Sequence, residues 1–297
     1  MAQKQISERT LVFGIVISMF LWGLSWPSGK VLSHYCSAVN FTVYRYFIVI
    51  VSLALLLVFT GVKLKINKAG ILYVLVSGSL LAVYSFLFVK GLQKGTAGAG
   101  GVLVTTLNPI MSYFIGIVVS RKLPSRNEGI GLVLGLLAGS VLLQLWTNVH
   151  ALFDSGNIYF LLAAFLWALM SKFTSKGAKY GSSLSFSLWQ YLITLLCLLP
   201  MVNVAEMQAA LHITDFRFWG NLFFGSAIVT TLATTVYFYS TTRLGAEKAS
   251  SFIFLVPLCA AVSSFLLLDE HIYLHTIIGG VMGMTAVYMI NKKRTAK

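Results

Sequence analysis

Ten runs of roughly twenty apolar residues, joined by short polar connections, set the terms on which this chain can fold. They read approximately Leu11–Leu32, Ala38–Thr60, Ala69–Gln93, Ala97–Ser120, Gly129–Trp146, Gly156–Ser175, Ser183–Val204, Phe218–Thr241, Ala246–Leu268 and Ile272–Ile290. A helix of about 20 such residues spans the hydrocarbon of a bilayer. Lipid offers no partner to a bare peptide group, so only structures that satisfy their own backbone survive there. The expected class is an all-α integral membrane protein of ten transmembrane helices. Only 10% of residues are charged, against about 25% in soluble domains, which removes the soluble alternatives. The connections leave no room for a separate soluble domain, and the longest, Ala205 to Arg217, reads as a small surface helix or cap. The polar start Met1 to Thr10 meets a full-length apolar run with no small-residue cleavage site, so the first helix is expected to be retained.

Charge sets the orientation. With the N-terminus cytoplasmic, 17 of the 22 basic residues fall on the cytoplasmic side, among them Lys63, Lys65, Lys68, Arg121, Lys122, Lys176 and Lys292. Loops rich in Lys and Arg stay inside, so both termini are expected to be cytoplasmic. The net charge of +14 then reflects topology and anionic headgroups. The basic residues are spread over every inner loop without a nucleic-acid motif, so no nucleic-acid partner is expected.

The halves repeat. Trp22 and Trp167 lie 145 positions apart (167 − 22), and the same offset sets FTVYRYFIVI on FSLWQYLITL, pairing Tyr44 with Trp189, Arg45 with Gln190 and Tyr46 with Tyr191. The run around Asn108-Pro109 returns at Pro257, at an offset of 148 (257 − 109); Gly135 and Gly139 align with Gly279 and Gly283 at 144. Proline cannot donate its helical hydrogen bond and crowds the preceding turn, so the helices carrying Pro109 and Pro257 are expected to be broken near a shared cavity. Five spans per half is an odd number, so the second half crosses in the opposite sense. Inverted repeats of this kind build alternating-access transporters with midplane sites. The two units are expected at residues 11–146 and 156–290.

Those residues resemble the EamA branch of the drug/metabolite transporter superfamily. The resemblance rests on Trp22-Gly23, Lys30, Arg45, the run from Gly95-Thr96-Ala97 through Asn108-Pro109, and Gly135 with Gly139. In the second half it rests on Trp167-Ala168, Gly245-Ala246 through Pro257, Asp269-Glu270, and Gly279 through Gly283. It covers nearly the whole chain and implies two EamA repeats in a bacterial-type inner-membrane carrier of small metabolites, often an exporter. One departure stands out. Where the family commonly has a glutamate after the fourth span, this chain has Arg121-Lys122, and the acid survives only as Glu270.

No Asp or Glu lies deep inside a run; Glu247, the second residue of Ala246–Leu268, is at a run's edge, and the others fall near span ends or in loops. A proton-coupled exporter of cationic drugs needs a buried carboxylate to trade for its cargo's charge, so that class is disfavoured. Arg45 is the opposite case, about 10 Å deep at ~1.5 Å per residue, where it either snorkels or meets an anionic group through its planar fork. With it, the expected substrate-binding residues are Trp22, Tyr44, Tyr84, Asn108, Trp167, Trp189, Gln190 and Tyr237, giving apolar walls with a few polar handles. Pro109 and Pro257 are the expected hinges. Gly131, Gly135 and Gly139 read as scaffold that lets helices approach. Cys36, Cys197 and Cys259 are too scattered for a metal set or disulfide framework, and His271 with His275 sits in a loop pattern. No cofactor and no metal are expected. Nor is there a nucleophile, phosphate-loop or metalloprotease motif, so no catalysis is expected. The expectation is a carrier of amino acids or related zwitterionic or anionic compounds. A membrane-embedded enzyme or a flippase of lipid-linked substrates is the alternative. The expected partners are a small-molecule substrate and the lipid bilayer, in a monomer with a homodimer left open.

Overall fold

The structure, a computed structural model, describes residues 7–121, 124–147, 156–244 and 251–291. The first half forms α1 (Glu8–Ser33), α2 (Ala38–Thr60), α3 (Ile71–Lys94), α4 (Ala97–Ser120) and α5 (Arg126–Leu142). The second forms α6 (Asn157–Gly177), α7 (Ser183–Leu198), the short α8 (Val204–Leu211) and α9 (Phe216–Phe223), a π-helical stretch Phe224–Ala233, α10 (Thr234–Leu244), α11 (Leu255–Leu268) and α12 (Leu274–Asn291). Local chemistry fixes several starts. Ser7, Ser37 and Ser182 precede α1, α2 and α7, and each side chain accepts a backbone N–H three residues on; Ser125 and Glu128 close a capping box on α5. Such caps satisfy donors that a helix start leaves free. Ser37 and Ser182 are also 145 apart (182 − 37), so the repeat extends to the caps.

Among the described residues, six helices are long and apolar enough to cross a membrane: Glu8–Ser33, Ala38–Thr60, Lys68–Lys94, Ala97–Val119, Asn157–Gly177 and Ser183–Met201; Leu255–Leu268 and Leu274–Ile290 are shorter apolar helices. The run expected at Phe218–Thr241 is divided by its π-helical stretch, and Gly129–Trp146 yields a helix of 17 residues. The start of the run expected at Ala246–Leu268 lies outside the described residues, as do Gly245-Ala246, Lys122, Lys248 and Lys292.

The expected break at Pro109 is not found. Helix α4 runs through it, whereas in the second half a 3₁₀ turn, Ser251–Phe254, precedes Pro257, which sits in the first turn of α11. A proline near a helix start loses no bond that the helix would have made. Within α4 it removes one bond, a loss that neighbouring helices can compensate without ending the helix.

Packing respects the repeat. Helices α5 and α12, α4 and α11, and α2 and α7 pair directly across the halves. The remaining large contacts come in exchanged pairs: α6 packs on α3 and α4, while α1 packs on the α9–α10 unit and α11. The α5–α12 seam shows the register. A Cβ added at Gly131 would come 2.9 Å from the Ala286 carbonyl and 2.7 Å from Ile290, and one at Gly279 would come 3.1 Å from the Ala138 carbonyl and 2.6 Å from Leu142. All these pairs differ by 148 (279 − 131, 286 − 138, 290 − 142). Gly131 therefore corresponds to Gly279 and Gly135 to Gly283, one helical turn from the 144 alignment expected above. Two glycines four residues apart match either way by eye, and only the contacts choose. Arg121 and Asp269, again 148 apart, both end a helix with φ 53°.

At the end of the bundle where α1 meets α2, the connection before α9 forms the expected cap. Asn40 donates to the Asn203 carbonyl (2.8 Å) and accepts from the Asn203 N–H (3.1 Å), and the Glu206 carboxylate accepts from the Ser37 N–H. The Tyr35 hydroxyl donates to Asp215. That bond leads in holding the Asp215 carboxyl below its ordinary range and the Tyr35 phenol above its own. Burial, with Glu206 adding to it, pushes the Cys36 thiol up to about 11.

The same end carries a charged clasp. Lys30 Nζ donates to the Leu92 (2.5 Å) and Gly95 (2.8 Å) carbonyls at the end of α3. Glu270 accepts from the Ala97 (2.8 Å) and Gly98 (2.7 Å) N–H groups that begin α4. Each charge sits on the helix end of opposite polarity, and the two attract one another.

Candidate functional site

Arg45 lies seven residues into α2 (45 − 38), facing the second half. One terminal nitrogen, Nη2, donates to Thr230 Oγ1 at 3.1 Å, on the π-helical stretch. Its Nε is buried with no hydrogen-bond partner. Three phenols, Tyr46, Tyr84 and Tyr191, lie within electrostatic reach of the guanidinium. Tyr46 shares a hydrogen bond with Ser85 (2.9 Å) and its ring lies 5.4 Å from that of Tyr191. Tyr84 packs against Trp167 at 4.8 Å and Phe88 at 5.9 Å. Side chains from α2, α3, α7 and the π-helical stretch thus converge on one cation, and Trp167 of α6 packs behind Tyr84.

The π-helical stretch owes its persistence to threonine. Thr230, Thr231 and Thr234 donate to the carbonyls five residues back, Gly225 (2.8 Å), Ser226 (3.3 Å) and Val229 (3.3 Å). Hydroxyls therefore reinforce the wider i to i+5 spacing, a geometry that otherwise appears mostly as single turns at functional sites. The wider turn lines a small cavity of about 10 Å³ with Gly225 and Ser226, together with Ser25, Ser28 and Arg45.

Among the residues expected from sequence, Arg45, Tyr84 and Trp167 come together. Trp22 packs on Tyr237 at 5.1 Å, in a separate cluster with Ile15, Met19 and Val256. Each repeat-related tryptophan therefore packs, at a tilt, against a tyrosine from the other half. Asn108 reaches the Ala164 carbonyl at 3.4 Å and ties α4 to α6.

Three placements correct the expectation. Tyr44 belongs to the cap: its hydroxyl donates to the Met207 carbonyl (2.5 Å) and its ring meets Phe218 and Trp219 edge-on. Trp189 is 41% exposed and donates to the Leu64 carbonyl (3.1 Å), as an anchor at the helix surface. Gln190 is buried where α7 crosses α3, its carbonyl 2.9 Å from where a Gly78 Cβ would lie. The physical reason is one residue of helical phase, about 100°, which turns Tyr191 rather than Gln190 toward Arg45. The signal was available, because Tyr46 and Tyr191 are identical at the 145 offset, and their rings pack on one another at a 31° tilt. Thr230 and Ser226 had no such signal. Their role depends on the π-helical turn. The described residues hold no cluster of three or more metal-ligating side chains.

The model of the EamA-like transporter family matches this chain twice, over residues 9–144 and 154–292. The chain is 25% identical over 285 residues to the uncharacterized transporter YoaV of Bacillus subtilis, covering 94% of this chain and 96% of that one. It is 25% identical over 242 residues to an uncharacterized transporter of Synechocystis, covering 76% and 72%. A WAT1-related chloroplastic protein of Arabidopsis thaliana is 27% identical over 215 residues, 68% of this chain and 50% of that one. A crystal structure at 16% identity shares the fold, with a TM-score of 0.57 over 96% of this chain and 98% of its own. The Bacillus and Synechocystis relatives are named as transporters, and with two matches of its model spanning almost the full length this multi-pass membrane chain belongs to the EamA-like transporter family.

Proposed function

We propose that the protein is a secondary carrier of the cytoplasmic membrane that exports small metabolites bearing a carboxylate, amino acids and related zwitterions foremost, by alternating access. In this reading ten spans form two inverted halves, both termini are cytoplasmic, and the end bearing Lys30 and Glu270 faces outward. The observation that carries it is Arg45, a guanidinium at depth between the two halves with one nitrogen unpartnered and tyrosines around it. A cation held in the bilayer costs several kcal/mol, about 3 or more, and is kept for a function by default. Its planar fork suits a carboxylate, and the Tyr84–Trp167 pair offers an apolar wall for the rest of a small substrate. The test is flux across proteoliposomes for a panel of amino acids and of the amines that lack their carboxylate, with and without a pH gradient. Saturable movement of the acids and not the amines is expected. Equal movement of both, or of neither, refutes the reading.

A further inference from the structure

We infer that the small cavity between Arg45 and Ser226 is a binding site for one small monovalent anionic group, either a halide ion or the carboxylate end of a substrate. Two polar atoms lining or bounding it are without a partner in the described residues: Arg45 Nε and Ser226 Oγ. Ser226 is fully buried. Neither atom satisfies the other, so the gap between them calls for an acceptor that takes a hydrogen bond from both. A third donor is at hand in Ser28, whose hydroxyl spends itself on a long 3.3 Å bond to the Asn221 carbonyl and can be redirected.

Size and charge narrow the occupant. The cavity is small, with about 10 Å³ open to the centre of a water-sized sphere, which is the scale of a chloride ion or of the carboxylate end of a substrate. No acidic residue lines it, and Arg45 is its one charged wall residue. Water could accept both bonds, but it leaves the positive charge of the half-buried Arg45 uncompensated, and a charge at membrane depth is costly unless it is paired. The walls come from α1 and α2 in the first half and the π-helical stretch in the second. An anion there would therefore bridge the halves. Ser226 lines the site from within the π-helical stretch, which gives that stretch a use. Only the part such an anion plays in transport rests on the carrier reading; its binding does not.

The experiment uses the purified full-length protein in detergent. Thermal unfolding is followed while sodium chloride or sodium acetate replaces the sodium salt of HEPES, a bulky sulfonate without a carboxylate, at constant ionic strength, and again with glycine against methylamine. Saturable stabilisation by chloride, acetate or glycine, absent with methylamine, is expected for wild type. Chloride acting alone assigns an inorganic anion, and acetate with glycine assigns the substrate's carboxylate. Ser226→Ala should weaken the apparent affinity at least tenfold while leaving the unfolding temperature in HEPES unchanged, because the hydroxyl it removes makes no bond in the empty site. Arg45→Gln should abolish the effect. An equal response to HEPES, or wild-type affinity in Ser226→Ala, overturns the inference and leaves the cavity to water. If anions bind and no substrate crosses a liposome wall, the site stands and the carrier reading falls.

Discussion

Removing the Glu270 carboxylate should loosen one end of the molecule while leaving its fold intact. The carboxylate takes two charge-assisted hydrogen bonds, at 2.8 and 2.7 Å, from the first N–H groups of α4. Thr96, the residue in the cap position, makes no side-chain bond of its own, so nothing replaces the loss. Losing a helix N-cap costs about 0.5–2 kcal/mol, and losing the negative charge on the helix dipole a further ~0.3–1 kcal/mol. Glu270 is only partly buried, so water recovers some of this, and about 2 kcal/mol is expected for Glu270→Ala. That is roughly a 30-fold change in a local opening equilibrium. Glu270→Gln keeps one neutral acceptor and should lose about half, some fivefold. The reporter is Ser264→Cys in a background without Cys36, Cys197 and Cys259. Ser264 is fully buried beside Gly98, where a Cβ on that glycine would come 3.3 Å from its own. The rate of maleimide labelling should rise in the order wild type, Gln, Ala, by approximately these factors. Unchanged labelling in Glu270→Ala would show that water replaces the carboxylate at no cost, and the clasp would lose its meaning.

Arg45→Lys keeps the charge and loses the fork, and Arg45→Gln loses both; at matched abundance both should slow transport of carboxylate-bearing substrates, the Gln variant more, since charged hydrogen bonds are worth about 1.5–3 kcal/mol against about 1 for neutral ones. Equal fluxes would mean that Arg45 touches no cargo. Gly279→Val should destabilise the α5–α12 seam by roughly 1–3 kcal/mol through overpacking against Leu142 and the Ala138 carbonyl, read as a lower unfolding temperature; an unchanged temperature would deny the close approach. Because the thiolate is the reactive form and the Cys36 thiol is pushed up to about 11, its alkylation should rise about tenfold per pH unit from pH 7 to 10. A plateau below pH 9 would contradict the burial of Cys36.

How far the sequence reached can be argued residue by residue. Membrane class, helical fold and the twofold repeat were legible because each rests on pattern alone: apolar runs against bilayer thickness, and FTVYRYFIVI beside FSLWQYLITL. Arg45 was legible because a charge within an apolar run is conspicuous. What failed was phase. Choosing Gln190 over Tyr191 requires knowing which side of α7 faces Arg45, and the run Ser183–Leu198 is apolar on nearly every side. The glycine register failed for a related reason, since residues four apart look alike after one helical turn. Glu270 read as a loop acid, because its partners Ala97 and Gly98 are 173 and 172 residues away and are backbone atoms. The π-helical stretch left no mark beyond a cluster of threonines, which are also common in ordinary helices of membrane proteins.

The reciprocity of the α5–α12 seam has a mechanical reading. Gly131 against Ala286 and Gly279 against Ala138 are the same contact made twice, once from each half. If the halves trade conformations, that pair of contacts is carried into itself, and nothing along the seam has to be broken or remade. The clasp of Lys30 and Glu270 has no such immunity, because the positions matching Asp269 and Glu270 in the first half are Arg121 and Lys122. The seam can therefore serve as an axle, an element that bears load in every pose without favouring any. The energetic difference between the poses must then reside in the helices that swing about it.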